Sequence, residues 1–350
     1  MTVKAGIIGA TGYAGVELVR ILLRHSGVEK LYLSSVSFEG KNITEVYPNL
    51  IGQLGDKTDG LLINADKVLE SSDVVFAALP NGLAEPYALY CKEKGKKFID
   101  LSADFRFGED EATYVEYYKK PWEHKELHAE AVYGLPEMNR EKIKKASIIG
   151  NPGCYVTAST LGLLPALKAG LIDTSLIIVD AKSGVTGAGR NATMTNQFCE
   201  CGESFSAYKV GSHRHQPEIA RNCTEAAGKK TNVIFTPHLL PQNRGILATI
   251  YAPLTKKLDS AEIRKIYEDF YKDEHFVRVL PEGVSPTTRS VRYTNYCDMQ
   301  VYAVNGGETL EIISVIDNMI KGSAGQAAQN MNLMCGFKES EGIDFVPTGF

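Results

Sequence analysis

No stretch of this 350-residue chain stays apolar long enough to cross a membrane. The opening MTVKAGIIGATGYAG lacks a signal-peptide core followed by a cleavage site; its apolar residues stop at a glycine cluster, as in a short first strand. Charge of one sign is scarce: 38 Lys+Arg against 42 Asp+Glu leave −4. That balance leaves no electrostatic footprint for nucleic acid or an anionic membrane, so neither is expected as a partner. The 7 cysteines are odd in number and irregularly spaced, which predicts reduced thiols in a cytoplasmic protein. Disorder is excluded by composition, 44% hydrophobic and 23% charged. The length predicts about two domains, and the single tryptophan decides nothing.

What is present begins with a strand over 3–8 that runs into Gly9-Ala10-Thr11-Gly12-Tyr13-Ala14-Gly15, followed by helical spacing over 16–25. Strand, glycine turn and helix form the context a dinucleotide fingerprint requires. The first glycine allows the turn, the second lets backbone approach a pyrophosphate, and the third lets helix and strand pack closely. Free N–H groups at the helix N-terminus then face the phosphates. The next strand, 30–36, ends in Ser34-Ser35 with Lys41 beyond, where an NAD site often carries an acid. Hydroxyls and a cation suit a 2′-phosphate, so NADP(H) is the expected cofactor. A third strand, 73–80, ends at Pro80-Asn81-Gly82, on the edge where open α/β sheets bind ligands. Helical pattern follows over 84–95. A strand over 96–107 ends in Ser102, Asp104 and Arg106, the last suited to gripping phosphate, unless it pairs locally with Asp104. Residues 108–130 read as a solvated helix and loop without chemistry.

A short strand over 147–150 leads through Asn151-Pro152-Gly153 to Cys154 and a helical run to 168. A cysteine at a helix N-terminus is favoured as thiolate, and backbone N–H groups nearby could hold an oxyanion. A thiol beside a dinucleotide site suggests attack on an acyl or aldehyde carbon, with hydride exchanged through the covalent adduct. Such chemistry needs an acid/base group. His25, His124, His128 and His275 sit among charges and read as surface residues. His213 and His215 lie in GSHRHQPE, where Pro217 fits the first turn of a helix, Glu218 its dipole, and Arg214 adds charge. His215 is favoured, with His213 second; Glu218 could orient the imidazole or bind substrate. Cys199-Glu200-Cys201 is one residue short of the usual paired-cysteine zinc spacing, so no metal is expected. The strand entering Lys182-Ser183-Gly184 and the glycines up to Arg190 suggest another ligand loop, with Ser183 and Gly184 toward cofactor and Arg190 and Arg214 toward substrate.

From Asn151 the pattern shifts to longer strands at 232–240, 245–253, 276–280, 297–304 and 309–317, with helix over 260–271. Asn305-Gly306-Gly307-Glu308 signals a hairpin. A last helix beginning near Gly322, with Gln326 and Asn330, is expected to return to the first domain and meet the cofactor. The expected fold is an α/β Rossmann-type dinucleotide-binding domain (1–150 and 322–350) plus an α+β substrate and oligomerisation domain with a mixed sheet (151–321).

Taken together, GIIGATGYAGVEL, DLSADFR, GLPE, GNPGCYVTAS, SGVTGAGR, HRHQPEI and KGSAGQAAQNMN resemble, in order and across essentially the whole chain, the shorter form of the N-acetyl-γ-glutamyl-phosphate reductase family. GNPGCY and HRHxPEI are the specific parts. The resemblance implies the third step of arginine biosynthesis: NADPH reduces N-acetyl-γ-glutamyl phosphate to N-acetyl-glutamate 5-semialdehyde and phosphate. It also implies Cys154 as nucleophile, His215 and less directly His213 in the acid/base region, a semialdehyde dehydrogenase fold, and a homodimer or homotetramer. Relatives acting on aspartyl phosphate or on a carrier-bound lysine-pathway substrate share the architecture. A non-enzymatic NADP-binding protein is the remaining alternative.

Overall fold

The computed structural model describes residues 2–349, which divide into two compact units. Residues 2–152 and Ser323–Phe345 form the first; Gly153–Gly322 and residues 346–349 form the second. Gly322 and the chain beyond Phe345 thus group with the second unit, where the sequence reading had them in the first.

The first unit is built on seven strands: β1 (Val3–Ile8), β2 (Val28–Ser34), β3 (Leu62–Ile63), β4 (Val74–Ala77), β5 (Lys97–Asp100), β6 (Val132–Tyr133) and β7 (Ile148–Gly150). Their order is β3-β2-β1-β4-β5-β7-β6, and all pairings are parallel. A parallel sheet is covered on both faces, so its strands read as continuous apolar runs. Accordingly Ile7, Ile8, Val74, Val75, Phe76, Phe98, Ile99, Ile148 and Ile149 are buried. The first helix runs Tyr13–Leu22, three residues earlier than its apolar spacing suggests, because Gly12 already serves as N-cap. Strands β4 and β5 stop at Ala77 and Asp100, leaving Pro80 and Ser102–Arg106 in loops at their C-terminal ends.

Residues 108–130 are not simply solvated. Helices Glu111–Tyr118 and Lys125–Glu130 bury Tyr114, Trp122, Leu127 and His128. The rings of Trp122 and His128 stack at 3.9 Å, and His128 stacks on Phe105 at 4.6 Å. His128 Nε2 meets Glu85 Oε1 at 3.0 Å. His25 is buried as well: Gly27 N–H donates to its Nδ1 at 3.1 Å, so Nε2 carries the proton and donates to Asn332 Oδ1 at 2.7 Å. Burial lowers its pKa below the usual histidine range. Two of the four histidines read as surface residues are therefore core residues, because their partners are remote in sequence.

The second unit carries β8 (Ile177–Gly184), β9 (Ser206–Ala207), β10 (Val233–Leu240), β11 (Ile246–Pro253), β12 (Val277–Val279), β13 (Cys297–Val304) and β14 (Thr309–Ile316). Their order is β12-β13-β14-β11-β8-β10-β9. β8/β10 and β12/β13 are parallel and the other pairs antiparallel, so the sheet is mixed. Helices Cys154–Lys168, His215–Ala227 and Ser260–Tyr271 pack with this sheet and with each other. The Cys154 helix is buried from Tyr155 to Leu167, which fixes its terminus. Pro165 inside it has no N–H for the carbonyl of Leu161; the hydroxyl of Tyr271 donates to that carbonyl instead, and Tyr267 donates to Gly162 O at 2.8 Å.

Candidate active site

Two strand–turn–helix junctions, one in each unit, hold most of the residues singled out from sequence. In the first unit, Gly9 has φ +89°, and a Cβ there would lie 2.3 Å from Ala78 O. A Cβ on Gly15 would lie 2.2 Å from Gly9 O, so the helix can sit this tightly on the turn only with glycine at both places. Gly12 is different. Its Cβ would meet only Gly9 O, at 3.5 Å, so its bareness serves something outside the turn. Gly12 N–H donates to Gly9 O at 3.1 Å, and Gly12, Tyr13 and Ala14 are half-exposed at the start of the helix, whose first-turn N–H groups have no intrahelical acceptor and favour an anion. The turn is tied to the end of β2: Gly9 and Ala10 N–H donate to Ser34 O, and the hydroxyls of Thr11 and Ser35 lie 2.6 Å apart.

Ser102 and Arg106 are buried in the loop after β5. Ser102 Oγ donates to Asp100 Oδ2 at 2.8 Å and accepts from Asp104 N–H at 3.1 Å, so it shapes the loop. Arg106 Nε donates to Asn151 O at 2.7 Å and Nη2 to Leu101 O at 3.1 Å. Asp104 accepts from Gly82 N, Ala84 N and the Tyr114 hydroxyl, so it anchors the loop after β4. Burial, and then the charge of Asp104, raise the carboxyl of Asp100 well above the usual carboxylate range; Arg106 opposes that shift. Gln326 and Asn330, on helix Gly325–Cys335, are fully buried, and both side-chain amides donate to Gly134 O. Gln326 Oε1 and Asn330 Oδ1 are buried with no donor among the described residues.

In the second unit, Cys154 is the first residue of its helix, half-buried, with Gly153 as an extended N-cap. The N–H of Gly153 is already taken: it donates to Glu218 Oε1 at 3.0 Å, and Glu218 is fully buried. Glu218 thus holds the turn that presents the thiol, and this backbone N–H is not open to an oxyanion as expected. Gly322 packs on the other side. A Cβ there would come within 2.8 Å of Cys154 Cβ, so glycine is needed for close approach.

Helix His215–Ala227 brings the HRHQPE motif to the same place. The ring of Tyr155 lies edge-on to His213 at 5.7 Å and to His215 at 5.9 Å, and the two imidazoles are 4.9 Å apart. His213 Nδ1 accepts from His215 N–H at 3.1 Å. Burial, followed by the neighbouring His215, depresses the pKa of His213 to about 2. His213 is thus held neutral with its Nδ1 occupied, and His215 next to it is half-buried. Tyr208 donates to the hydroxyl of Tyr155 at 3.2 Å, and Tyr155 donates to His238 O at 3.0 Å. Burial pushes the Tyr208 phenol up to about 12, and the nearby Cys154 charge adds to the shift. Neither tyrosine was singled out from sequence, although Tyr155 directly follows Cys154.

Ser183 is buried at the end of β8. A Cβ on Gly184 would meet Asn243 O at 2.6 Å, so Gly184 is required by the fold whatever else it meets. Arg190 and Arg214 are exposed. No helix among the described residues is long and apolar enough to cross a membrane.

Comparison with known proteins adds independent findings. Residues 4–146 match the family model "Semialdehyde dehydrogenase, NAD binding domain", and residues 154–318 match "Semialdehyde dehydrogenase, dimerisation domain". An N-acetyl-gamma-glutamyl-phosphate reductase of Clostridium beijerinckii is 50% identical over 348 residues, covering 99% of this chain and 100% of that one. Its counterpart in Moorella thermoacetica is 49% identical over 342 residues, 98% of each chain. Among solved structures, aspartate semialdehyde dehydrogenase II of Vibrio cholerae superposes with TM-score 0.74 at 17% identity, over 96% of this chain and 99% of that one. The aspartate semialdehyde dehydrogenase of Candida albicans, solved with NADP, gives 0.69 at 14%, over 96% and 99%. These two likenesses concern the fold. A nicotinamide dinucleotide is therefore the cofactor class, and the second unit is of the family's dimerisation type. The chain belongs to the semialdehyde dehydrogenase family, in its N-acetyl-gamma-glutamyl-phosphate reductase branch.

Proposed function

We propose that this cytoplasmic enzyme reduces N-acetyl-γ-glutamyl phosphate with NADPH, giving N-acetyl-glutamate 5-semialdehyde, phosphate and NADP⁺. The observation that carries the reading is the half-buried thiol of Cys154 at a helix N-terminus, followed directly by Tyr155, whose ring meets both His213 and His215. Cys154 Sγ attacks the acyl carbon, the C–O bond to phosphate breaks, and an enzyme thioester forms. Arg106 and Ser102, with Arg190 and Arg214, are the groups we assign to the substrate's anionic ends. When bound, NADPH supplies the hydride that reduces the thioester carbon. His215 protonates the thiohemiacetal oxyanion and takes that proton back as the C–S bond breaks, releasing the aldehyde and the Cys154 thiolate; the one proton the overall reaction takes up ends on the released phosphate. Glu218 and His213 position the thiol turn and His215.

The residues of the first unit fit the dinucleotide. Gly9, Thr11, Gly12, Tyr13, Ala14 and Gly15 form a bare helix terminus for the pyrophosphate. Ser34 and Ser35, with Lys41 and no carboxylate at the end of β2, favour the 2′-phosphate of NADP(H) over the free hydroxyl of NAD. The orphaned oxygens of Gln326 and Asn330 can accept from a carboxamide or ribose. Pro80, Ser183 and Gly184 complete the assignment. We assign a homodimer or homotetramer, which light scattering tests directly.

The functional test runs the reaction in reverse, with N-acetyl-glutamate semialdehyde, phosphate and NADP⁺, and follows NADPH. Phosphate-dependent NADPH formation, absent with NAD⁺ and with aspartate semialdehyde, is expected. Turnover of the aspartyl substrate alone overturns the substrate assignment and keeps the thiol chemistry.

A further inference from the structure

A cavity of about 410 Å³ is lined by second-unit residues, none of which is assigned a role above. Gln242 and Arg244 line it from the turn after β10; Thr288, Arg289, Arg292 and Tyr293 line it from the segment before β13. Tyr293 is its centre. Its backbone sits at φ +65°, a conformation that costs a bulky residue on the order of 1–3 kcal/mol and persists only where the surroundings enforce it. Two contacts do so. Tyr293 N–H donates to Asp317 Oδ2 at 2.7 Å, and the ring lies under two guanidinium groups, Arg244 at 4.8 Å and Arg292 at 5.5 Å.

Charge in this cavity is one-sided. Three arginines and no carboxylate are among its lining residues; Asp317, which pairs with Arg244, is fully buried. Asp317 already accepts from the N–H groups of Tyr293, Met319 and Ile320, and meets Arg244 Nη1 at 3.4 Å. Donors are also in excess. Arg292 Nε and Gln242 Nε2 are buried and have no acceptor among the described residues. A buried donor left unpaired costs about 1–3 kcal/mol. Two such donors on one cationic wall are accounted for by a ligand that brings acceptor oxygens and negative charge.

We propose that this cavity is an oxyanion site in which Arg292, Gln242 and Arg289 take a carboxylate or phosphate group. The oxygens satisfy Arg292 Nε and Gln242 Nε2, and Tyr293 keeps the guanidinium groups in place. The oxyanion has two possible sources: a carboxylate carried by an acylamino-acid ligand, or free inorganic phosphate. The inference does not depend on the assignment of Cys154, and its test measures no turnover.

The full chain is titrated calorimetrically with inorganic phosphate and, separately, with N-acetylglutamate. The variants are Arg292→Ala, Arg292→Lys, Gln242→Leu and Arg289→Ala, with Arg106→Ala as a control in the first unit. Arg292→Ala is expected to weaken one probe roughly tenfold or more, as fits the loss of a charge-assisted contact. Arg292→Lys and Gln242→Leu should weaken the same probe less, and Arg106→Ala should leave that binding event in place. Loss confined to phosphate assigns the site to the free ion; loss confined to N-acetylglutamate assigns it to the carboxylate. If Arg292→Ala fails to fold, Arg292→Lys and Gln242→Leu carry the test. Equal affinity for both probes in every cavity variant that folds overturns the proposal, and so does the absence of any binding by the unmodified protein.

Discussion

The helix termini at Gly12 and Gly153 share one backbone geometry and differ in what fills them. Both N-caps are extended glycines, with φ/ψ of −73°/164° and −68°/146°, and neither has a side-chain cap. The Gly12 terminus is followed by an amphipathic helix, and its N-cap N–H turns back onto Gly9 O at 3.1 Å with no side chain capping the first turn, which suits a diffuse pyrophosphate charge. The Gly153 terminus is followed by a helix buried all round, and a carboxylate already sits on the N–H of its N-cap. The terminus that carries Cys154 is fixed by the hydrogen bond to Glu218 and by the close approach of Gly322. The same local motif therefore becomes a cradle in one unit and a rigid mount in the other.

The largest effect that separates the two termini comes from Cys154→Ala. Turnover should fall roughly 10⁴-fold or more, the scale seen when a covalent nucleophile is removed. Affinity for NADPH, read by nucleotide fluorescence, should not change. A loss of nucleotide affinity in this variant would break the division of labour. The converse variant is Gly15→Ala. Its methyl would come within 2.2 Å of Gly9 O, so the turn must shift. A cost of about 2–4 kcal/mol in urea unfolding of the first unit, with weaker dinucleotide binding, is expected. Alkylation of Cys154 by iodoacetamide should proceed at its normal rate in that variant.

Each unit also holds a buried histidine that folding keeps neutral, His25 in the first and His213 in the second. A pKa lowered in the fold means that the unfolded chain binds more protons below pH 6.5. The stability these residues give is present above that pH and is lost as the pH falls toward their folded values, about 2 for His213. Asp100 works in the opposite sense. Its raised pKa gives stability below the ordinary carboxylate pKa, which is lost as pH rises through the folded value. Thermal melts between pH 5 and 8 should show stability declining below pH 6.5, with a shallower acid limb in His25→Gln. An unchanged limb would remove His25 from the account.

What could be read from sequence follows the range of the interactions. The glycine turn and the cysteine at the head of its helix are local patterns, each written within about a dozen residues. Element boundaries moved where a cap decided them, as at Gly12. The hidden parts are pairings across the chain. His25 looks exposed until Asn332, 307 positions away, is seen to hold it. Segment 108–130 looks solvated until Trp122 and His128 are seen stacked beneath the Arg106 loop. Glu218 reads from sequence as orienting an imidazole or binding substrate; nothing local shows that it also accepts from a backbone N–H 65 positions upstream. Periodicity reports which face of an element is buried and is silent on which remote group it meets.

The smallest predicted effect tests the comparison most sharply. If Glu218 only fills a hydrogen-bonding vacancy at the Gly153 terminus, Glu218→Gln should be nearly silent, because the amide oxygen can still accept from Gly153 N–H. If its negative charge also offsets the helix field felt by Cys154, removing that charge while keeping the acceptor should favour the thiolate. Interactions of a charge with a helix terminus amount to about 0.3–1 kcal/mol, so alkylation of Cys154 at fixed pH should accelerate about two- to fivefold. The melting temperature should stay near that of the unmodified protein, whereas Glu218→Ala, which strands the buried N–H, should cost about 1–3 kcal/mol. Faster alkylation in Glu218→Gln would show that the thiol terminus is tempered by design, in contrast to the bare terminus at Gly12. Equal rates would reduce Glu218 to a clamp, and the two termini would then differ in rigidity alone.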